Sequence, residues 1–464
     1  MTTSMHGING TSQHNSLMSA PPTADLPDLP QRVDVVVVGA GLAGLTAAAT
    51  AARAGCSVAL FEQAGTPGGR ARTRNDDGFA FNIGPHALYK DGLTLQILAD
   101  LEVTVRAAAV GLGGAQIERD GRLYQLPANL RTLLTSRLLD WRARLELATF
   151  LGGIGKLDPA PLMGQPLEAW LASAIRSPMA RQLVAVSIRT ATYADDPGRL
   201  SAGAGLRQLK AGLSGALYVH GGWQTIVDDL RSRAEVLGVT VVSGARVADV
   251  ELDPSARAAA GVRLANGQRV QAGTVILAVP PMAASGLVQG GQQPALAGWA
   301  ERAVPVRAAS LDIGLRRLPR PHDWFALGFE RPLYLSVHSN WARLAPDGRA
   351  LVHVLKYLGP SPRGAGDEQE LEGLLDLVQP GWRAEVVTRR FLPETVVAGA
   401  LPSVAWETAE GPRGPAVPGL DGLLVAGDWV GPEGMLADRA VSSGARAGVE
   451  AASLPICARM GAVA

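Results

Sequence analysis

Residues 32 to 62 restrict the fold of this chain more than any other stretch. Arg32-Val33-Asp34-Val35-Val36-Val37-Val38 is a β-branched run of the kind shown by a strand buried on both faces. It passes into Gly39-Ala40-Gly41-Leu42-Ala43-Gly44 and then into an alanine-rich segment, Leu45 to Ala54, that favours helix. Gly55 suits a helix stop, and Ser57 to Phe61 reads as a second strand ending at Glu62. Three glycines at this spacing inside a βαβ unit of about 30 residues form a dinucleotide-binding fingerprint. Gly39 permits the tight turn, Gly41 lets the backbone approach a pyrophosphate seated on the helix N-terminus, and Gly44 lets helix and strand pack closely. Glu62 stands where a carboxylate accepts hydrogen bonds from a ribose diol.

A second cluster follows at once. Gln63 leads to Gly68-Gly69-Arg70-Ala71-Arg72-Thr73, where backbone N–H groups and a guanidinium can face a second phosphate. Phe81-Asn82-Ile83-Gly84-Pro85-His86 comes next. Near the other end, Gly422 to Gly427 reads as a short buried strand running into Asp428, with a helix over Ala437 to Ala451. Other functions are excluded by simple counts. With 43 basic and 42 acidic side chains there is no electrostatic case for binding nucleic acid. Two cysteines and scattered histidines support neither a disulfide framework nor a metal site. At 464 residues the chain is long enough for two or three domains. The first 31 residues lack an apolar run and read as a disordered leader, not a secretory signal. The apolar stretch Val33 to Ala52 divides into strand and helix and is no membrane span, so the expectation is a cytoplasmic protein, soluble or peripheral.

Taken together, GAGLAGL, Glu62, GGRART, the Gly84-Pro85-His86 turn and the closing Gly427-Asp428-Trp429 … Gly434-Met435-Leu436 segment resemble the flavin-containing amine oxidoreductase superfamily. The nearest branch is the phytoene desaturase-like oxidoreductases. The segment Tyr218 to Val227, the strand ending at Val247 and the run Thr274 to Pro281 also resemble it, so the similarity covers nearly the whole chain after residue 31. The resemblance implies an α/β fold, with a Rossmann-like FAD-binding domain and an interleaved α+β substrate domain. It assigns 32–105, 216–288 and 405–464 to the FAD domain, and 106–215 and 289–404 to the substrate domain. The implied cofactor is non-covalent FAD. Its expected contacts are Gly39, Gly41, Leu42, Ala43, Gly44, Glu62, Gln63, Gly69, Arg70, Ala71, Gly84, Pro85, His86, Val247, Gly427, Asp428, Gly434, Met435 and Leu436.

The implied activity is removal of hydride from a hydrophobic substrate, an isoprenoid or lipophilic secondary metabolite, with O2 or a quinone as electron acceptor. Amine oxidation is the alternative, along with isomerisation or dehydroxylation without net oxidation, and a purely structural flavin belongs to a different class again. His86 is a candidate proton carrier or a histidine that fixes its turn. Many amine-oxidising relatives place a Lys against the flavin; by pattern that position falls near Arg307, which cannot act as a base. Met435 and Leu436 replace the aromatic ring that such enzymes present to an amine, and so suit a hydrocarbon better. Residues 129–151 read as a helix or helix pair, with Leu130, Leu134, Leu138, Trp141 and Leu145 on one face. The expectation is that this face is core; the other reading is an entry or membrane-facing helix.

Overall fold

A computed structural model describes residues 29–111, 113–360 and 364–455; the expected leader lies almost wholly outside them. The first strand, Arg32–Val38, is buried along nearly its whole length because it has a parallel neighbour on each side. Those neighbours are Val58–Glu62 and Arg269–Leu277. Thr240–Ser243 adds outside Val58–Glu62, and Leu423–Val425 pairs in parallel with Arg269–Leu277. An antiparallel meander, Val247–Leu252 to Ala259–Leu264 to Arg269–Leu277, completes a seven-stranded sheet. Strands from three distant stretches of sequence thus share one sheet. Ala107–Ala109 and Leu88–Tyr89 flank Ala216–Val219 in a separate three-stranded sheet.

Helix Leu42–Arg53 lies on this sheet, and the closing helix Leu436–Ser453 lies on it in turn. Their contact is backbone to backbone. A Cβ on Gly444 would come within 2.3 Å of the Ala43 carbonyl oxygen, and one on Gly448 within 2.6 Å of that of Ala47. Small residues here let the C-terminal helix reach the first glycine turn.

The second sheet also has seven strands, in the order Val386–Ala398, Val306–Leu315, Ala350–Leu358, Leu333–Val337, Phe325–Gly328, Gln116–Arg119, Arg122–Gln125. Its four leading strands are antiparallel. One face packs on helix Asp367–Val378; the other turns toward the first sheet's loops. Among the described residues no helix is long and apolar enough to cross a membrane.

Residues 129–151 form a helix pair, but the face expected to be core is outside. Leu130 is 67% exposed, Leu134 59%, Trp141 67% and Leu145 63%; of that stripe only Leu138 is buried. The reason is a break. Asn129 caps a short helix, Leu130–Leu134, and Asp140 caps a new one, Trp141–Gly153, so the three- and four-residue spacing does not run through one helix. Leu133, Leu139, Ala143 and Leu147 make the buried side instead.

Candidate functional site

The first glycine turn is built as its spacing predicts. Gly39 has φ +101°, and a Cβ there would meet the Ala278 carbonyl oxygen at 2.7 Å. A Cβ on Gly44 would lie 1.8 Å from the Gly39 carbonyl oxygen, so this is where helix and strand touch. Gly41 differs: nothing lies within 4 Å of its Cβ position. It is the N-cap of helix Leu42–Arg53, and Leu42 and Ala43 form the buried first turn. Gly41 also bridges to Gly68 in parallel fashion, and a Cβ on Gly69 would find only the Gly41 Cα, at 3.7 Å. Two glycine turns therefore lie side by side, with open space beside Gly41 at a helix N-terminus. That is a cradle for phosphate.

Glu62 ends the second strand beside this cradle. Its carboxylate is almost buried and accepts from the backbone N–H of Ala40 (2.8 Å) and Ala64 (2.9 Å), so it holds the glycine turn as well as facing it. Gln63 is exposed and Ala71 is buried. Val247 starts the meander within the sheet's core. The turn before it is tied to the same corner by hydrogen bonds from Gly244 to Ala64 and from Ala245 to Glu62.

Arg70 and Asp428, which belong to opposite ends of the sequence, are partners. The guanidinium donates to both carboxylate oxygens, at 2.6 and 2.7 Å, and to the Val397 carbonyl. Asp428 also accepts from the Gly399 N–H at 2.9 Å. Gly427 is fixed by Ser443, whose hydroxyl bonds both its N–H and its carbonyl at 2.9 Å. The Gly434-Met435 corner is held by the buried Arg439, which donates to the Gly434 carbonyl (3.0 Å) and pairs with Glu407 (2.7 Å). Met435 is buried, and Leu436, at φ +54°, packs against the hydrophobic cluster of the second sheet. Trp429 is core, against Trp299, with its indole N–H bonded to the Val279 carbonyl. It presents no ring at Met435's place.

The Gly84-Pro85-His86 turn meets the second sheet: a Cβ on Gly84 would be 3.4 Å from the Ser310 hydroxyl. His86 faces the Gly84 carbonyl through Nδ1 (3.0 Å) and the Arg70 carbonyl through Nε2 (3.2 Å). Its edge meets Trp223, whose buried indole N–H has no partner among the described residues. Burial pushes His86 below its ordinary pKa, outweighing both carbonyls. Arg307 is not brought to this turn. Strand Val306–Leu315 pairs residue for residue with Ala350–Leu358, so side chains alternate strictly. Ser310 and Asp312 point toward the turn, and Arg307 takes the opposite face, where it is half-exposed and paired with Glu394 at 2.9 Å. This removes Arg307 from the candidate catalytic set.

Sequence reasoning missed a buried polar group on the near face: Asp312, His338, His353 and Arg390. Its signal was an acid and an imidazole inside otherwise apolar strands, Leu311-Asp312-Ile313 and Val352-His353-Val354.

A mixed sheet with a parallel centre carrying this fingerprint, with a second sheet closing over its loops, defines a dinucleotide-binding protein of two-sheet architecture. Residues 42–451 match the model of the flavin containing amine oxidoreductase family, and the chain belongs to that family. Its cofactor is FAD. The chain is 30% identical over 285 residues to hydroxyneurosporene desaturase of Cereibacter sphaeroides, covering 54% of this chain and 56% of that protein. It is 25% identical over 283 residues to 4,4'-diaponeurosporene oxygenase of Staphylococcus aureus, covering 52% and 54%. It thus spans about half the length of these curated relatives. An oxidoreductase from Methanosarcina mazei shares the fold, with TM-score 0.73, 21% identity, and coverage of 90% of this chain and 100% of that one. The residues present fit FAD: open space at Gly41, an acidic group at the end of the second strand, and an unpartnered indole N–H beside His86.

Proposed function

We propose that this protein is a dehydrogenase that holds FAD non-covalently and removes hydrogen from a lipophilic, isoprenoid-type substrate to form a carbon–carbon double bond. The observation that carries the reading is the Met435–Leu436 corner. It comes from the closing FAD-side segment, where Met435 is buried and Leu436 packs against the second sheet's apolar cluster, so that aliphatic side chains stand where an amine oxidase needs a ring. Two relatives named for neurosporene-type substrates agree with this choice. The bound flavin supplies hydride acceptance, while the protein supplies binding, orientation and exclusion of water.

In this reading the Gly41–Gly69 cradle receives the pyrophosphate and Glu62 the adenosine ribose. The Arg70–Asp428 pair joins the two ends of the site, with Asp428 near the ribityl chain. His86 fixes its turn against Arg70 and is kept neutral by burial. The buried Cys56 lies in the first sheet's core and offers no linkage to flavin; Cys457 is outside the described residues. Anaerobic mixing with lipophiles and with simple amines decides the main point. Bleaching by isoprenoids and not by benzylamine or putrescine is expected; fast bleaching by an amine overturns the reading.

The helix pair at 129–151 fits docking on an anionic bilayer surface, from which such a substrate is drawn. Exposed Leu130, Leu134, Trp141 and Leu145 are interleaved with exposed Arg131, Arg137 and Arg142. Glu146 is held inward, both its oxygens accepting the backbone N–H groups of Arg176 and Ser177, and its single charge offsets only part of the three arginines.

A further inference from the structure

The face of the second sheet beneath the Gly84-Pro85-His86 turn is too polar for a bare hydrocarbon. Register places Asp312 opposite His353 on one side and Arg390 on the other, with Ser336 opposite His353 in the next strand. All of these point to the same face, toward the turn. Asp312 is wholly buried and accepts from Ser310 (2.8 Å), His353 Nδ1 (2.7 Å) and Arg390 (2.6 Å). Arg390 also reaches across to the Asn82 carbonyl of the FAD side. Burial opposes the charge on Asp312, but His353 and Arg390 outweigh it and hold the carboxyl below its ordinary range.

This network leaves donors and acceptors over. With Nδ1 committed to Asp312, His353 has a buried Nε2 that no group among the described residues meets. His338 is 1% exposed, stacks on Tyr218 at 3.6 Å and meets the His353 ring edge-on at 4.7 Å, yet neither of its nitrogens has a partner among the described residues. Burial drives it well below its usual pKa, so it is a neutral ring with one N–H and one lone pair. Tyr218, which stacks on His338, belongs to a set of mutually close tyrosines with Tyr89, Tyr193, Tyr334 and Tyr357, five of the six in the chain. Burial keeps all five protonated. A buried imidazole without a bond loses its hydration and gains nothing. Such nitrogens, beside the turn that borders the flavin site, are suited to a ligand that brings oxygen.

We propose that one ring nitrogen of His338 and the Nε2 of His353 form a subsite for a hydroxyl group on the substrate, which is therefore an oxygenated lipophile. The subsite rests on the reading of this protein as a flavin dehydrogenase of lipophiles. Aliphatic Met435 and Leu436 take the chain; the imidazoles take the oxygen and set which carbons lie against the flavin.

The test is a binding titration of the FAD-loaded protein, read as the change in its visible flavin spectrum, with matched pairs of probes: farnesene with farnesol, and phytane with phytol. Each alcohol should bind at least about tenfold more tightly than its hydrocarbon. His338→Phe keeps the stack on Tyr218 and removes two unpaired nitrogens, so its Tm should hold or rise. In that variant the alcohol preference should collapse while hydrocarbon affinity stays. His338→Asn, which retains a donor and an acceptor, should recover part of the preference. Equal binding of alcohol and hydrocarbon by the wild type, or a preference that survives His338→Phe, overturns the subsite. Flavin reduction by a bare hydrocarbon with no response to any alcohol also overturns it. Failure of every lipophile, oxygenated or not, alongside reduction by amines, overturns the functional reading itself.

Discussion

Gly41 and Gly44 stand three residues apart in one motif, yet a side chain at each should fail in a different way. At Gly44 a Cβ meets backbone: the Gly39 carbonyl oxygen at 1.8 Å and its carbon at 3.0 Å, with the Ala278 methyl at 3.1 Å. Relieving a 1.8 Å approach requires the first strand and helix to part by more than about 1 Å, and no flexible side chain is there to yield. Overpacking usually costs about 1–3 kcal/mol, and a backbone obstruction places Gly44→Ala at the top of that range or beyond it. At Gly41 the backbone sits at φ −78° and ψ −179°, open to any residue, and a Cβ finds nothing within 4 Å. Ala there stiffens the unfolded chain, worth about 0.4–1 kcal/mol, and gives up a comparable amount as a poorer N-cap. The apoprotein should therefore be nearly unchanged by Gly41→Ala and by Gly41→Val. Both variants project atoms into the cradle, and Gly41→Val should purify colourless. The assay compares Tm of flavin-stripped proteins with the ratio of flavin to protein absorbance after purification. Gly41→Val with native-like apo Tm and no FAD, against Gly44→Ala with a Tm lower by several degrees, is expected. A Gly41→Val protein that stays yellow, or that loses as much apo stability as Gly44→Ala, refutes the assignment of that space to the cofactor.

Three further outcomes are expected. Asp428→Ala breaks a buried, bidentate pair, but Arg70 is 41% exposed and can rehydrate, so the loss should be about 1–3 kcal/mol; a double-mutant cycle with Arg70→Ala giving no coupling would show the pair to be idle. His86 and His338 are held neutral by burial and have lowered pKa values, so the unfolded chain binds more protons below about pH 6.5 and stability should fall there, by up to about 1.4 kcal/mol per pH unit for each ring. Above that pH they add no slope, and His338→Phe should flatten the acid limb; denaturant titrations from pH 5 to 7.5 that show no slope in the wild type contradict this. Replacing exposed Trp141 and Leu145 with Asp should leave stability within about 0.5 kcal/mol of wild type but abolish co-flotation with phosphatidylglycerol vesicles, and flotation that persists removes 129–151 from the docking surface.

What could be read from the sequence divides along a physical line. The strand Arg32–Val38 and its glycine turn were legible because every constraint on them is local: continuous burial, a tight turn, a helix start. The place of Glu62 at the end of the second strand was legible for the same reason, whereas its bonds to Ala40 and Ala64 are a structural duty that spacing does not reveal. The Arg70–Asp428 pair joins residues 358 apart, so the two motifs could be recognised separately but not as partners. Arg307 was misplaced because facing in a strand changes with each residue: a slip of one position carries a side chain from the turn to the far side of the sheet. The Asp312–His353 pair depends on cross-strand register, which is fixed by neighbours that the sequence does not name.

The helix pair at 129–151 shows the remaining limit, and it connects two oddities of this fold. Periodicity marked a leucine stripe, but an apolar stripe faces whatever is apolar, whether core or lipid. Here Leu130, Leu134, Trp141 and Leu145 are each about 60% exposed, which on burial in lipid offers on the order of 5 kcal/mol. Inside, the same chain buries Asp312, His338 and His353 with three imidazole nitrogens unpaired. Each arrangement is costly in a monomer that meets only water. On the readings proposed above, the first cost is offset by an anionic bilayer that the outer helices meet, and the second by an oxygen on a lipophile drawn from that bilayer and bound at the inner face. A bare hydrocarbon leaves the inner cost standing, and a water-soluble amine gives the outer helices no reason to meet a membrane.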